Sequence, residues 1–316
     1  MAISPNLPKI DSLLGRVNTH PEYSPCLRQE TDRAIFAEAA THSVQMELSN
    51  SHKVLKRQTN EGLRDLETAY GYLVHGGINL NTLSRLGNLV DPKGHPYENF
   101  RVAEVSFGEF SGAPKHTLYE RMDGLIWNLD NLSLHPVTRA IEAHIGLVHI
   151  HPYEDGNGRS ARLLEAFCLA QRGIPPPIIK AEDKKDYLAL MSGALKDRRE
   201  RGSHILGPGA SERRFHDFIE GKIIDSLDHL QGVLDSKRSY SITLEDVNEQ
   251  GIAHAVAGIL KTSTCGRTNA SKINLQRKGS GRYTLELTGN ISPQELAQQL
   301  GKASSKYRIR AGFCSK

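Results

Sequence analysis

Between His149 and Arg162 the chain reads HIHPYEDGNGRSAR, which places a proton acceptor, two acids, a GNG turn and two arginines within fourteen positions. His151 is suited to take up a proton near neutral pH. Pro152 disfavours helical backbone at the residue before it, so the helix carrying Ile141, Ile145 and Val148 is expected to end at about His151. The glycines of DGNGR allow backbone conformations closed to other residues and leave several N–H groups free to converge on one ligand. They also sit where the next helix should begin, and a helix N-terminus favours anions. Arg159 and Arg162 oppose that helix dipole by roughly 0.3–1 kcal/mol each unless an anion is present. Spaced i, i+3, they share a face and can clamp a polyphosphate. Asp155 is the natural ligand for the Mg²⁺ that accompanies a nucleoside triphosphate. A base beside such a site fits transfer of a phosphoryl-containing group to a hydroxyl.

Blander readings stand beside this one. A lone GxG with a nearby arginine is more often a turn with a surface salt bridge, and only the conjunction of base, acid, anion turn and paired arginines argues against that. His144, His149 and His151 could suggest a metal cluster, but residues 144 and 149 point about 140° apart on a helix and do not converge.

The elements that must position these groups can be sketched from the rest of the chain. At 316 residues, with 38% hydrophobic and 24% charged composition, it suits a soluble protein with one large and one smaller domain. It shows no secretory leader and no run of eighteen apolar residues, so a cytoplasmic protein without membrane contact is expected. Cys26, Cys168, Cys265 and Cys314 form no CxxC pair and read as reduced thiols, Cys168 as a small core residue. Residues 1–25, with prolines at 5, 8, 21 and 25, are expected to be an extended arm. Residues 26–235 are expected to be mainly helical. RQETDRAIFAEAATHSVQMELSNSHKVLKRQ reads as a helix, with an intermittent stripe of Ile35, Ala39, Val44 and Met46. FRVAEVSFGEFSGAPKH switches to short extended segments around a turn, after which helical patterning returns. Residues 236–316 read as a small α/β module, with strands in SYSITLED and SGRYTLELTGN and a hairpin in KINLQRKGSGRYTLEL. That tail carries thirteen Lys plus Arg against five Asp plus Glu, a net +8 within a chain of net +4. Nucleic acid or an acidic protein is a compatible partner. Its only aromatics, Tyr240, Tyr283, Tyr307 and Phe313, make no interleaved stacking platform, which favours a basic accessory domain.

HPYEDGNGRSAR resembles the signature of the Fic family, HxFx(D/E)GNGRxxR, with Tyr153 in place of the usual Phe. The resemblance implies a mainly α fold, a Fic-type helical bundle with a β-hairpin flap, here joined to the small C-terminal α/β module. It further implies a nucleotidyltransferase, a protein adenylyltransferase that moves AMP from ATP, with Mg²⁺, onto a Ser, Thr or Tyr hydroxyl of a target protein or of itself. His151 would be the base and Asp155 the Mg²⁺ ligand. Gly156, Asn157 and Gly158 would form the anion hole, and Arg159 and Arg162 would bind the β/γ end of ATP. The retained second glycine of GNG sets the chain apart from the Doc branch. FRVAEVSFGEFSGAPKHTLYERM resembles the family's target-positioning flap, with Phe107, Gly108, Glu109 and Phe110 at its tip; an ordinary surface hairpin is the alternative. SVQMELSN is similar to the inhibitory motif (S/T)xxxE(G/N), with Ser43 and Glu47 correctly spaced and Leu48 where Gly or Asn is usual. Glu47 would then pair with Arg162 and autoinhibit the enzyme, or else be an ordinary solvated residue. Two rival activities remain open: removal of AMP at the same site, or a nucleotide-sensing regulator whose tail binds nucleic acid or protein.

Overall fold

The computed structural model describes residues 4–20, 25–47, 52–201, 208–235, 238–247, 250–262, 272–278, 281–289 and 293–315. The chain divides into two compact units, one of Met1–Leu14 with Arg33–Leu227 and one of Gly15–Asp32 with Asp228–Lys316. The second unit therefore draws on a segment near the N-terminus as well as on the tail, where the sequence suggested an arm over residues 1–25, a helical domain over 26–235 and a separate module over 236–316.

The expected extended arm is corrected: α1 (Asn6–Thr19) is helical. Leu7, Ile10, Leu13 and Val17 recur at helical spacing and are buried, which supplies the apolar face that makes a helix worthwhile. Pro5 precedes it and Pro8 lies in its first turn, where a missing N–H is tolerated. Next come α2 (Pro25–Gln45) and α3 (His52–Gly76), two helices where one long segment was expected. Arg162 donates to the Ser43 carbonyl and Lys184 Nζ donates to the Met46 carbonyl, replacing partners that a continued helix would have supplied.

The centre of the larger unit is the helix–loop–helix pair α6 (Pro136–Ile150) and α7 (Asn157–Ala170), reached through α4 (Leu80–Val90) and α5 (Leu118–Asn131). Ten residues of α6, from Val137 to Ile150, are buried, so this helix is apolar nearly all round, as a central helix must be. Around the pair lie α8 (Lys184–Arg201) and α9 (Ala210–Asp235), whose Phe215, Ile219, Ile223 and Leu227 join the same core. Cys168 is buried on α7, and its thiol is pushed up to about 12 by that burial. Cys26, Cys265 and Cys314 lie outside the residues whose side chains are described. The flap is a minimal hairpin, β1 (Ser106–Phe107) pairing with β2 (Phe110–Ser111) in the register Phe107↔Phe110. Gly108 turns it at φ 56°, a conformation that suits glycine.

The smaller unit alternates β3 (Arg238–Glu245), α10 (Gln250–Thr262), β4 (Lys272–Arg277), β5 (Tyr283–Gly289), α11 (Pro293–Tyr307) and β6 (Arg310–Ser315). Its antiparallel sheet has the order β4-β5-β3-β6, the ferredoxin-like β-α-β-β-α-β arrangement. Tyr240, Ile242 and Leu244 alternate into its core with Tyr283, Leu285 and Leu287, and Leu296, Leu300 and Ala303 of α11 bury there too. Tyr240 and Tyr283 are thus core residues, and Phe313 meets the Tyr240 ring edge-on at 5.7 Å. Among the described residues no helix is long and apolar enough to cross a membrane.

Candidate active site

His151 caps α6 with φ 56° and ψ 60°, a left-handed conformation that is costly for a residue bearing a side chain. Pro152 prevents the helix from continuing, and three hydrogen bonds hold the strained junction. Arg101 Nε donates to the His151 carbonyl at 2.8 Å, Arg101 N–H to the Pro152 carbonyl at 2.9 Å, and Ala113 N–H to the Ile150 carbonyl at 3.0 Å. The Arg101 guanidinium, with no side-chain exposure, also donates to the carbonyls of Ala103 and Ala113 at the base of the flap. Arg101 thereby ties flap to helix end. Sequence reasoning passed over it, since an isolated arginine in FRVAEV gives no sign that it serves a backbone carbonyl as distant as that of His151.

The His151 imidazole is pinned under the flap. The Phe107 ring stacks on it at 3.8 Å, 8° from parallel, and Nδ1 is buried without a partner. Burial, opposed by the Val148 backbone carbonyl and aided by the nearby positive charge of Arg101, lowers its pKa from 6.5 to about 4. The imidazole is therefore neutral and able to accept a proton. Glu109, at the hairpin tip, pairs with Lys196 at 2.9 Å and accepts from Ser192 at 3.2 Å. Those bonds, from Lys196 first, hold its carboxyl below the ordinary range. Phe110 is buried under the Arg199 guanidinium.

From His151 the chain turns through Tyr153 to Gly156, the N-cap of α7 at φ 79°. Tyr153 fills a notch over Gly87, where an added Cβ would stand 2.3 Å from its ring. Its hydroxyl donates to the Leu83 carbonyl at 2.5 Å, which accommodates the one departure from the signature. Asn157 spends its side chain on the loop: Oδ1 accepts from Tyr153 N–H at 3.0 Å and Nδ2 donates to the Tyr153 carbonyl at 2.9 Å. It can therefore offer a ligand only its backbone N–H. The amides of Asn157, Gly158 and Arg159 open the helix, so no intrahelical carbonyl reaches them. Asp155 Oδ1 accepts from Gly156 N–H at 2.6 Å, and its carboxylate is 67% exposed. A largely solvated carboxylate beside open amides suits a hard divalent cation that keeps most of its water.

The two arginines are held separately. Arg159 Nη2 bonds to Asp91 Oδ2 at 2.6 Å and approaches Asp155 at 3.7 Å, while its Nε is buried without a partner. Asp91, the C-cap of α4, is a site residue that sequence reasoning missed. Burial raises its carboxyl pKa, but hydrogen bonds from Gly94 N–H and Arg159 outweigh this and lower it. Arg162 donates from Nε to Ser43 Oγ at 2.8 Å, from Nη2 to Glu47 Oε1 at 3.0 Å and from Nη1 to the Tyr187 hydroxyl at 3.3 Å. Glu47 lies not in α2 but in the turn after it, its N–H bonded to the Val44 carbonyl; Leu48 lies outside the described residues. The Glu47 carboxylate is seated against the opening of α7, since a Cβ on Gly158 would stand 3.4 Å from Oε1. An acid thus occupies the place where the sequence asked for an anion.

One acidic group with metal-ligand proximity occurs elsewhere among the described residues: Glu142, Glu212 and His216. Arg198 already sits between its two carboxylates at 2.6 Å from each. His144 has both ring nitrogens engaged, with Glu165 and Tyr187.

Comparison with known proteins agrees with this geometry. The Fic/DOC family matches residues 78–169. The protein adenylyltransferase fic-1 of Caenorhabditis elegans is 32% identical over 122 residues, covering 37% of this chain and 24% of the relative. The protein adenylyltransferase Fic of Nematostella vectensis is 35% identical over 105 residues, covering 32% and 25%. The matched segment thus spans about a quarter of those relatives' own length. Among solved structures, Fic-1 (residues 134–508) of C. elegans superimposes with TM-score 0.58 at 22% identity over 72% of both chains. A Fic family protein of Desulfovibrio desulfuricans G20 gives 0.53 at 17% identity, over 95% of this chain and 85% of that one. At such identities the likeness is one of fold. Motif, site geometry and these likenesses converge on one conclusion: residues 78–169 are a Fic domain.

Proposed function

We propose that this chain is a Mg²⁺-dependent protein adenylyltransferase that moves AMP from ATP to a side-chain hydroxyl of a target protein, restrained by its own Glu47. The observation that carries the reading is the seat of Glu47, a carboxylate held on Arg162 against the open amides of α7. A triphosphate tail has the same charge and the same need for N–H donors, so Glu47 and the end of ATP compete for one place. In the released state His151 takes the proton of the target hydroxyl, the freed oxygen attacks the α-phosphorus, and pyrophosphate leaves. The open amides and Arg162 hold the departing phosphates. Asp155 would hold Mg²⁺, which supplies neutralisation of phosphate charge. The flap, tied to the end of α6 through Arg101, positions the target backbone beside the base.

The test is α-labelled ATP with Mg²⁺ and a cell lysate. Label should pass to protein with the parent chain, more with Glu47→Gly, and none with Glu47→Gly/His151→Ala. If Glu47→Gly transfers no label, the reading is wrong. If Glu47→Gly instead loses an activity that removes AMP from modified protein, the reaction runs in the opposite sense.

A further inference from the structure

α6 buries a histidine, α7 a glutamate and α8 a tyrosine, and all three meet in the core behind Arg162. His144 is 0% exposed, Glu165 1% and Tyr187 3%. Polar groups in such a place need partners. His144 Nδ1 lies 3.0 Å from Glu165 Oε2, His144 Nε2 lies 2.8 Å from the Tyr187 oxygen, and that oxygen accepts from Arg162 Nη1 at 3.3 Å. The direction of the chain follows from the inventory of donors. Because the Tyr187 oxygen receives a proton from Arg162, its own hydroxyl proton is free for His144 Nε2. The imidazole then carries its proton on Nδ1 and donates it to the Glu165 carboxylate.

Two observations suggest that this chain is not mere core filling. Glu165 Oε1 is buried without a partner, so the carboxylate is kept at an unmet desolvation cost for the sake of its bond to His144. The other partners of the Arg162 guanidinium, Ser43 and Glu47, belong to the end of α2 and the turn after it. If Glu47 gives way to ATP, the Tyr187 hydroxyl is the contact that does not depend on that turn. The Tyr187 ring adds a face 5.5 Å from the Arg162 guanidinium carbon.

We propose that His144 and Glu165 are positioning residues which, through the Tyr187 hydroxyl, hold the Arg162 fork ready for the terminal phosphates of the nucleotide. This role rests on the adenylyltransferase reading, in which Arg162 meets the β/γ end of ATP and not its AMP moiety. Its signature is therefore selective: a break in the chain weakens ATP and spares AMP.

The test uses the full chain carrying Glu47→Gly, with ATP and AMP affinities measured by calorimetry. Tyr187→Phe keeps the ring and removes the hydroxyl. It should weaken ATP about tenfold, the loss expected for one hydrogen bond to a charged group, while AMP binding stays within about twofold. His144→Phe should do the same, and His144→Gln, whose amide oxygen can still accept from Tyr187, should recover most of the ATP affinity. An unchanged ratio of ATP to AMP affinity in Tyr187→Phe, or an equal loss of both, overturns the positioning role alone. If Glu47→Gly binds neither nucleotide, the adenylyltransferase reading fails and takes this role with it.

Discussion

The phenyl ring of Phe107 lies flat on the imidazole of His151, 3.8 Å between centroids and 8° from parallel. Burial is the largest cause of the low pKa of His151, about 4 against 6.5, and Phe107 is one wall of that burial. Phe107→Ala should let water reach the ring and raise the pKa toward 6.5. The His151 signal in an NMR titration reads this directly. A titration still centred near pH 4 in the variant would show that the flap does not shield the base.

The same shift sets the pH range of the reaction. In the Glu47→Gly variant, kcat/KM should fall only as pH drops through about 4, because neutral imidazole is the active form. An acid limb centred at 6.5 would contradict this. The stability effect has the same sign. Unfolded His151 takes a proton below about 6.5 and the folded residue only below about 4, so its contribution is whole above 6.5 and is lost as pH falls between the two.

Arg101 closes the strained junction at His151 from below, with four donated bonds counting its own N–H. Arg101→Met would leave the carbonyls of Ala103, Ala113 and His151 without that partner, and should cost roughly 3 kcal/mol of stability. The expected signature in urea is a lower midpoint with an unchanged slope. Arg101→Lys, which can reach only part of this set, should fall between. If Arg101→Met unfolds at the parent's midpoint, the junction is held by other means.

What the sequence disclosed about this site, and what it hid, divides along one physical line. The groups from His151 to Arg162 were legible because their relations are local: Pro152 ends a helix, glycine opens the next, and a three-residue spacing puts two arginines on one face. Asp91 and Arg101 were not legible, because each meets the site across a long stretch of chain, and nothing in DPKG or FRVAEV names the partner. Helix α1 was misread for a different reason: its prolines dominated the reading, while Leu7, Ile10, Leu13 and Val17 already had the spacing of a buried face. In the tail the hairpin was readable from its turn residues, whereas β6, with Gly312 amid RAGFCS, carries little strand propensity and is fixed by pairing with β3.

Lys184 offers a way to loosen Glu47 without touching it. Its ammonium, at the start of α8, donates to the Met46 carbonyl, one residue before the carboxylate that occupies Arg162. The contact fixes the turn rather than the acid, so its loss should widen the motion of Glu47 while leaving the ion pair with Arg162 possible. Lys184→Ala should therefore raise AMP transfer above the parent but not to the level of Glu47→Gly, and Lys184→Arg, which keeps a donor, should stay near the parent. The labelled-ATP assay measures all four chains side by side. A rise in Lys184→Ala that equals Glu47→Gly would mean that the turn is the whole of the restraint, and no rise at all would mean that the Arg162–Glu47 pair holds without it.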